Sequence, residues 1–247
     1  MANIDKFSNI IGADLAKKVY EDGVSDAVKE AGKTGVDLVK VFRLFMTPFH
    51  FLANYQERLE KYLDRVRESV AEDQQMEAPA SISGPILEKL KYLDENNYLT
   101  DFYLELLSRA INKERISEAH PAFFYLIEQL SPDEALILYH LKNKEKLPLN
   151  FSRDLNETKD QFGKYVFLDD LDIYKEIAFP DLYTMYIDHL QKMNILFWQK
   201  GAEDVIWNDP HDKKDQKGII SHDKIYLTRF GKLFVHACVP NKIIIRR

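Results

Sequence analysis

Residues 130–141 read LSPDEALILYHL and hold the clearest secondary-structure signal in the chain. The side-chain oxygen of Ser131 can accept a hydrogen bond from a backbone amide of the first helical turn, while Glu134 reaches back to the amide of Ser131. Pro132 suits the first position of a helix, because its fixed φ is already helical and no amide is needed there. Leucine and isoleucine follow at helical spacing, so the stretch predicts a helix with a defined start.

Helical signals continue upstream of this stretch. Residues 83–93, 100–111 and 121–130 carry apolar side chains three or four positions apart, which is the spacing of one helix face. Ser83 and Thr100 stand at the start of two of these segments. They are the expected N-caps, because their hydroxyl oxygens can accept a backbone amide of the first turn. The centre of the chain therefore predicts a helical body.

The C-terminal part predicts a small amount of sheet. Residues 183–193 have helical spacing, whereas 195–199 and 224–228 look like two short strands. The polar stretch 201–222 looks like the loop between them, although residues 205–207 could extend the first strand. A last helix follows the second strand. Helix, hairpin and helix in this order are the outline of a winged-helix unit.

Together these elements predict a mostly α protein. An N-terminal amphipathic helical region covers residues 1–72 and a linker covers 73–83. A helical body, ending in a winged-helix-like unit with a small β-hairpin, covers 84–247. The linker is expected because the sequence from residue 72 to residue 83, EDQQMEAPASIS, is acidic and rich in residues that interrupt helices.

A wide apolar face marks the N-terminal region. In residues 36–52 polar side chains recur only every three or four positions, so a helix would carry them as one narrow stripe. A heptad-spaced segment follows, with Leu59, Tyr62 and Val66 on its apolar side. The wide face could contact a membrane surface, form a homo-oligomer interface, or be buried in a helical bundle. The residues of the predicted interaction surface are Val39, Phe42, Phe45, Met46, Phe49 and Leu52.

Composition limits the classes of protein that need consideration. The chain has 247 residues, of which 45% are hydrophobic, and this is enough to bury a core. Its formal charge of −6 argues against a general attraction to nucleic acid. The single cysteine, Cys238, cannot form an intramolecular disulfide. With neither a signal peptide nor an apolar run of membrane-spanning length in the sequence, we expect a cytoplasmic protein that could also contact a membrane peripherally.

Candidate catalytic and ligand-binding groups have simpler structural interpretations. Residues 27–34, AVKEAGKT, fit a permissive phosphate-loop pattern, but no apolar strand precedes them, and a helix ending at Gly32 explains them. A minor hypothesis remains a nucleotide hydrolase using Lys33. His120 lacks an evident catalytic partner and is expected to bond backbone at a helix start. A polar cluster without regular ligand spacing could hold a metal; it contains Asp209, His211, Asp212, Asp215, His222 and Asp223. We expect no enzyme site, cofactor or metal.

Three pairs of segments together resemble the bacterial abortive-infection alpha family. They are SGPILEKL at 83–90 with LELLS at 104–108, AHPAF at 119–123 with LSPDEA at 130–135, and LTRFGKLF at 227–234 with AC at 237–238. The resemblance implies a part in defence against bacteriophage, in which an infected cell stops growing or dies. It supplies no catalytic residues that could be transferred to this chain.

Two hypotheses for function follow. The first is an abortive-infection protein that acts without catalysis, through a protein partner, self-association or a peripheral membrane contact. The second is a winged-helix regulator that binds nucleic acid, with Lys213, Lys214 and Lys217 as its contacts. The second has weaker support, because helix 183–193 is poor in the lysine and arginine that neutralise phosphates.

Overall fold

The computed structural model describes residues 57–144, 146–169 and 171–243. They form two compact units, of which the first ends at Gln129 and the second begins at Leu130. The phosphate-loop-like residues 27–34 lie outside the described residues, and so does the predicted interaction surface of Val39, Phe42, Phe45, Met46, Phe49 and Leu52.

The first unit is helical where it is described. Helix α1 covers residues 57–68, α2 Ala80–Leu90, α3 Tyr98–Ala110 and α4 Ala122–Gln129, with short 3₁₀ turns at Glu72–Gln74 and Ile116–Glu118. Helix α3 lies at the centre, with Phe102, Leu106 and Leu107 fully buried. The heptad-spaced face of α1 is buried as well, and Arg65 on that helix pairs with Asp101 of α3 at 2.8 Å. Apolar burial thus holds this unit together.

Two helices of the first unit begin earlier than the sequence suggested. Asn97 caps α3 by accepting a hydrogen bond from the Leu99 amide at 2.9 Å. The predicted cap Thr100 instead donates its hydroxyl to the carbonyl of Asp94. Ser83 lies inside α2 and donates to a carbonyl one turn earlier. Both predicted caps were wrong, because a hydroxyl within a helix can donate to a preceding carbonyl as readily as it can accept at a helix start.

The segment predicted as a linker lies against the end of α3. The Met76 amide donates to the carbonyl of Ile111 at 2.8 Å, and the Lys113 amide donates to Gln74 at 2.9 Å. The Gln75 side chain donates to two carbonyls at the end of α1 and just beyond it. These bonds join residues 74–76 to α1 and to the end of α3, and the whole segment belongs to the first unit.

The second unit combines helices with a sheet. Its elements are α5 Pro132–Asn143, β1 Lys146–Asp154, β2 Val166–Phe167, α6 Asp172–Glu176, a 3₁₀ turn Pro180–Leu182, α7 Tyr183–Lys192, β3 Leu196–Trp207, β4 Gln216–Leu227 and α8 Arg229–Cys238. The four strands are antiparallel neighbours in the order β2-β1-β4-β3. The capping box predicted at the start of α5 is confirmed.

The fold class is mixed α/β, because about 49% of the described residues are helical and 19% lie in strands. The prediction of a mostly α protein with a small β-hairpin was therefore wrong. Most of the expected polar loop at 201–222 belongs to β3 and β4. β1 lies in a stretch for which no element was predicted, although Leu147, Leu149 and Phe151 recur at the two-residue spacing of a half-buried strand. β3 is exposed along most of its length, so it lacks the alternation of apolar and polar residues by which a half-buried strand is recognised.

A close backbone approach fixes the start of α8 against the base of the hairpin. The hydroxyl of Thr228 accepts the Gly231 amide at 2.8 Å and caps the helix, while the Thr228 amide donates to Ile195 at 2.9 Å. A Cβ atom on Gly231 would lie 1.8 Å from the Ile195 oxygen. The segment 227–231 thus needs a hydroxyl at its second position and glycine at its fifth.

Candidate functional site

The strand β3 forms one edge of the sheet. It pairs with β4 along one side, and no strand lies on its other side within the described ranges. The strand is twelve residues long, and it exposes 52% of Phe197 and 42% of Val205. An edge of this kind presents unpaired backbone N–H and C=O groups, to which a further strand can bond.

A bulge divides β3 into two halves. Gln199 pairs with Lys224 and Ala202 pairs with His222, so Lys200 and Gly201 together lie opposite Asp223. A Cβ atom on Gly201 would lie 1.8 Å from the His222 oxygen, so only glycine fits there.

Asp223 holds this bulge in place. Its carboxylate is 4% exposed and accepts the indole N–H of Trp198 at 2.6 Å and the amide of Gly201 at 2.9 Å. These two N–H donors satisfy the buried carboxylate and fix the shape of β3 at the bulge. Asp223 was a candidate metal ligand in the sequence, and the structure gives it this other role.

The two faces of the sheet differ in burial. The inner face is defined by the buried β4 residues Ile219, Ser221, Asp223 and Ile225, and the outer face by the more exposed Ile220, His222, Lys224 and Tyr226. Directly paired residues share a face. Trp198, Glu203 and Val205 of β3 therefore belong to the inner face, and by alternation so does Lys200. On the outer face lie Phe197, Gln199, Ala202, Asp204 and Ile206.

An arginine packed among aromatic rings anchors the loop after β1 to the inner face. The Arg153 guanidinium lies 5.6 Å from the ring centre of Phe151, 4.7 Å from that of Phe162 and 5.1 Å from that of Tyr165. The Trp198 ring lies 6.2 Å from that of Phe151. The positive charge faces the electron-rich rings, and this attraction stabilises the loop on the sheet.

A chain of hydrogen bonds crosses the outer face. His222 places Nε2 3.0 Å from Asp204 and Nδ1 3.1 Å from the Asn150 side-chain oxygen. The Asn150 amide nitrogens of side chain and backbone both donate to Asp169 at 2.6 Å. His222 was another candidate metal ligand, and here it links three strands instead.

Both carboxylates of the capping segment of α5 are buried and bonded. Asp133, 5% exposed, accepts the amides of Ala178 at 2.8 Å and Phe179 at 3.0 Å, and the hydroxyl of Tyr186 at 2.9 Å. Burial, together with the bond to Asp133, raises the pKa of Tyr186 to about 12. Glu134 accepts the Ser131 amide at 2.7 Å and lies 2.6 Å from His189 Nδ1.

The other candidate groups from the sequence also have structural partners. His120 Nδ1 accepts the Ala122 amide at 3.1 Å, which agrees with its expected place at a helix start. His140, which was not among the candidates, places Nε2 2.7 Å from Glu176. Cys238 is fully buried. In the part of the chain that is described, no group of three or more acidic, histidine or cysteine side chains could hold a metal ion.

The predicted nucleic-acid contacts lie at the tip of the hairpin. Lys213, Lys214 and Lys217 are exposed there, and Lys214 lies 3.5 Å from Asp212. Residues 208–217 contain three lysines and three aspartates, so the positive charge is matched locally. The structure brings the lysines to one place but surrounds them with acidic groups.

Among the residues with a described structure, every helix is too short or too polar to cross a lipid bilayer.

Comparison with known proteins places the chain in a family. No curated protein and no solved structure matches the chain. The family model described as Abortive infection alpha matches residues 52–238, and this range contains all of the resembling segments. Because the match covers well over half of the sequence, this protein belongs to the Abortive infection alpha family.

Proposed function

We propose that this protein acts in abortive infection without catalysis, by binding a protein along the open edge of β3. The family supports a role related to abortive infection. The observation that carries the proposal is the length and exposure of the edge strand, which has twelve residues and a neighbour on one side only in the described structure.

An edge strand of this length offers a large backbone surface. At roughly 3.3 Å per residue, β3 extends over about 40 Å, and strands in globular proteins are usually about half as long. Phe197 is on the outer face and Val205 on the inner face, so a partner strand could place apolar side chains beside both. Backbone hydrogen bonds would give affinity, and these side chains would give specificity.

The bonding of the polar side chains supports a non-catalytic role. The Asp133 carboxylate binds two backbone amides, and that of Asp223 binds one amide and an indole. His189 and His140 lie against glutamates that belong to neighbouring helices. These groups fix the relative positions of helices and strands, which is a structural purpose that needs no substrate.

The membrane contact proposed for residues 36–52 is a separate matter. That surface lies outside the described residues and stays a prediction. A variant with Phe42→Glu and Phe45→Glu tests it in the same assay as the edge strand.

The test is phage plating on a bacterial host that expresses the protein. Val205→Lys replaces one of the two exposed apolar side chains of the open edge with a charge, which removes an apolar contact with a partner strand and disfavours its addition. Leu233→Lys is the matched control, since Leu233 on α8 is 60% exposed and distant in sequence from β3. We expect wild type and Leu233→Lys to protect the host and Val205→Lys to lose protection, with all three folded by circular dichroism. Full protection by Val205→Lys would refute the proposal, and so would a well-expressed wild type that gives none.

A further inference from the structure

Resting on the proposed function, we infer that the strand bound by β3 is β3 of a second copy of this chain, in an antiparallel register with a two-fold axis between Gly201 and Ala202. In this register Lys200 of one copy lies opposite Glu203 of the other, and Gln199 lies opposite Asp204. Each pair occurs twice, because a two-fold interface is self-complementary.

Charge is the first observation that selects this register. β3 carries one basic residue, Lys200, on one side of the axis and two acidic residues, Glu203 and Asp204, on the other. Antiparallel pairing with a second copy turns this asymmetry into two Lys–Glu pairs. Opposite charges on directly facing residues stabilise a strand pair, and like charges destabilise it.

The two faces of the strand agree with this register and exclude a shift of one residue in either direction. Lys200 and Glu203 both belong to the inner face, as do Trp198 and Val205, which would also lie opposite each other. Phe197 would lie opposite Ile206 on the outer face. A shift of one residue would set Trp198, on the inner face, against Ile206, on the outer face, because each shift exchanges the faces of one strand.

The bulge makes this agreement possible. In this register the numbers of two facing residues sum to 403, as for 200 and 203. In a strand without the extra residue at Lys200 and Gly201, two such residues would lie on opposite faces, because strand side chains alternate. The bulge restores the same face on both sides of the axis. The axis itself passes between a glycine and an alanine, the smallest side chains of the strand.

Charged residues on an edge strand disfavour the addition of unrelated strands, but the charges of β3 would favour the addition of a second copy of this chain. A generic apolar strand meeting β3 would leave Lys200 and Glu203 without an opposite charge on the facing strand, whereas Asp204 is already bonded to His222. A second copy supplies opposite charges for the lysine and the glutamate. Discrimination between partners needs both a favourable match and an unfavourable mismatch, and this strand has both.

Cysteine cross-linking tests the register on the full chain. With Gln199→Cys and Asp204→Cys in one chain, the register sets each new cysteine opposite the other type in the second copy. Disulfides need Cα atoms within about 4.4–6.8 Å, whereas residues 199 and 204 of one strand are roughly 16 Å apart, so each bond must join two chains. The native Cys238 is fully buried and gives no background.

The matched controls are the two single variants. In this register, residue 199 of one copy is five positions from residue 199 of the other, which is too far for a disulfide. We expect the double variant to form covalent dimers under mild oxidation and each single variant to stay monomeric on a denaturing gel. Equal cross-linking in single and double variants, or none in the double variant, would overturn the register.

Charge exchange provides the second measurement. Light scattering on wild type should give twice the 28.9 kDa of the chain. Glu203→Lys should reduce the mass to that of the monomer, and adding Lys200→Glu should restore the dimer. A monomeric wild type would overturn the inference, as would a dimer that is unaffected by Glu203→Lys. If Glu203→Lys does not fold, the cross-linking result decides.

The two proposals can fail separately. If the wild type is monomeric and Val205→Lys loses protection, the proposed function stands and the partner of β3 is a different protein. If Val205→Lys dissociates the dimer while protection persists, the dimer stands as inferred and its role in defence is refuted.

Discussion

The indole N–H of Trp198 donates to the buried carboxylate of Asp223 across two neighbouring strands, over 2.6 Å. The same carboxylate accepts the amide of Gly201, so one side chain determines the shape of the edge strand at its bulge. The open surface of β3 therefore depends on a residue that is itself almost fully buried.

Asp223→Ala should strongly destabilise the second unit. The change removes the acceptor of the half-buried Trp198 indole and of the exposed Gly201 amide, and a hydrogen bond to a charged group contributes about 1.5–3 kcal/mol. We expect the free energy of unfolding to fall by roughly 2–4 kcal/mol in a urea titration that follows tryptophan fluorescence. Lys224→Ala, at the next, exposed position, serves as the control and should change it by less than about 0.5 kcal/mol. Equal effects of the two substitutions would contradict the role given to Asp223.

Gly231→Ala should destabilise the joint between the hairpin and α8. Its methyl group would lie 1.8 Å from the Ile195 oxygen, so the helix or the strand must move. Overpacking of this kind typically costs about 1–3 kcal/mol, seen as a lower melting temperature. Lys232→Ala replaces a neighbouring exposed residue on the same helix and should leave the melting temperature nearly unchanged. A stable Gly231→Ala variant would mean that this approach is looser than described.

Tyr186 should ionise later than an ordinary tyrosine. Burial raises its pKa to about 12 in the folded protein, while an unfolded tyrosine has a pKa near 10. Above pH 10 the unfolded chain loses this proton first, so the contribution of Tyr186 to stability is complete below pH 10 and is lost as the pH rises towards 12. The difference in absorbance at about 295 nm between wild type and Tyr186→Phe should show a midpoint near pH 12. A midpoint near pH 10 would contradict the buried bond to Asp133.

Duplex DNA should not bind to the hairpin tip in a salt-dependent manner. The three lysines between residues 208 and 217 are balanced by three aspartates, and affinity for DNA depends on net neutralisation of phosphates. We expect similar, weak retention of wild type and of the triple variant Lys213→Ala, Lys214→Ala, Lys217→Ala on DNA at low salt. Strong retention of wild type that the triple variant loses would instead favour the nucleic-acid hypothesis.

Sequence reasoning succeeded where the structure is determined locally. Ser131 and Glu134 lie three residues apart, and the bonds between them need nothing from the rest of the chain. The family resemblance was confirmed by the family model over residues 52–238, and the segment 227–231 within that range carries local requirements for a cap and a close approach.

The sheet could not be predicted in the same way, because its determinants are distant in sequence. Asn150 of β1 pairs with His222 of β4, and neither residue favours a strand by itself. The edge strand was missed because its exposed residues lack an apolar pattern, and residues 205–207 were the one signal that it extends further. The bulge depends on Asp223 meeting Gly201 across the hairpin, so no pattern within β3 alone reveals it.

The carboxylate of Asp133 binds the segment before α7 through the main-chain amides of that segment and not through the segment's side chains. The donors are the amides of residues 178 and 179, and every amino acid except proline supplies such a group. Substitutions at these two positions should therefore be widely tolerated, while a proline at either one should release the segment. An aspartate that binds main-chain amides lets the sequence around it diverge freely without loss of the contact.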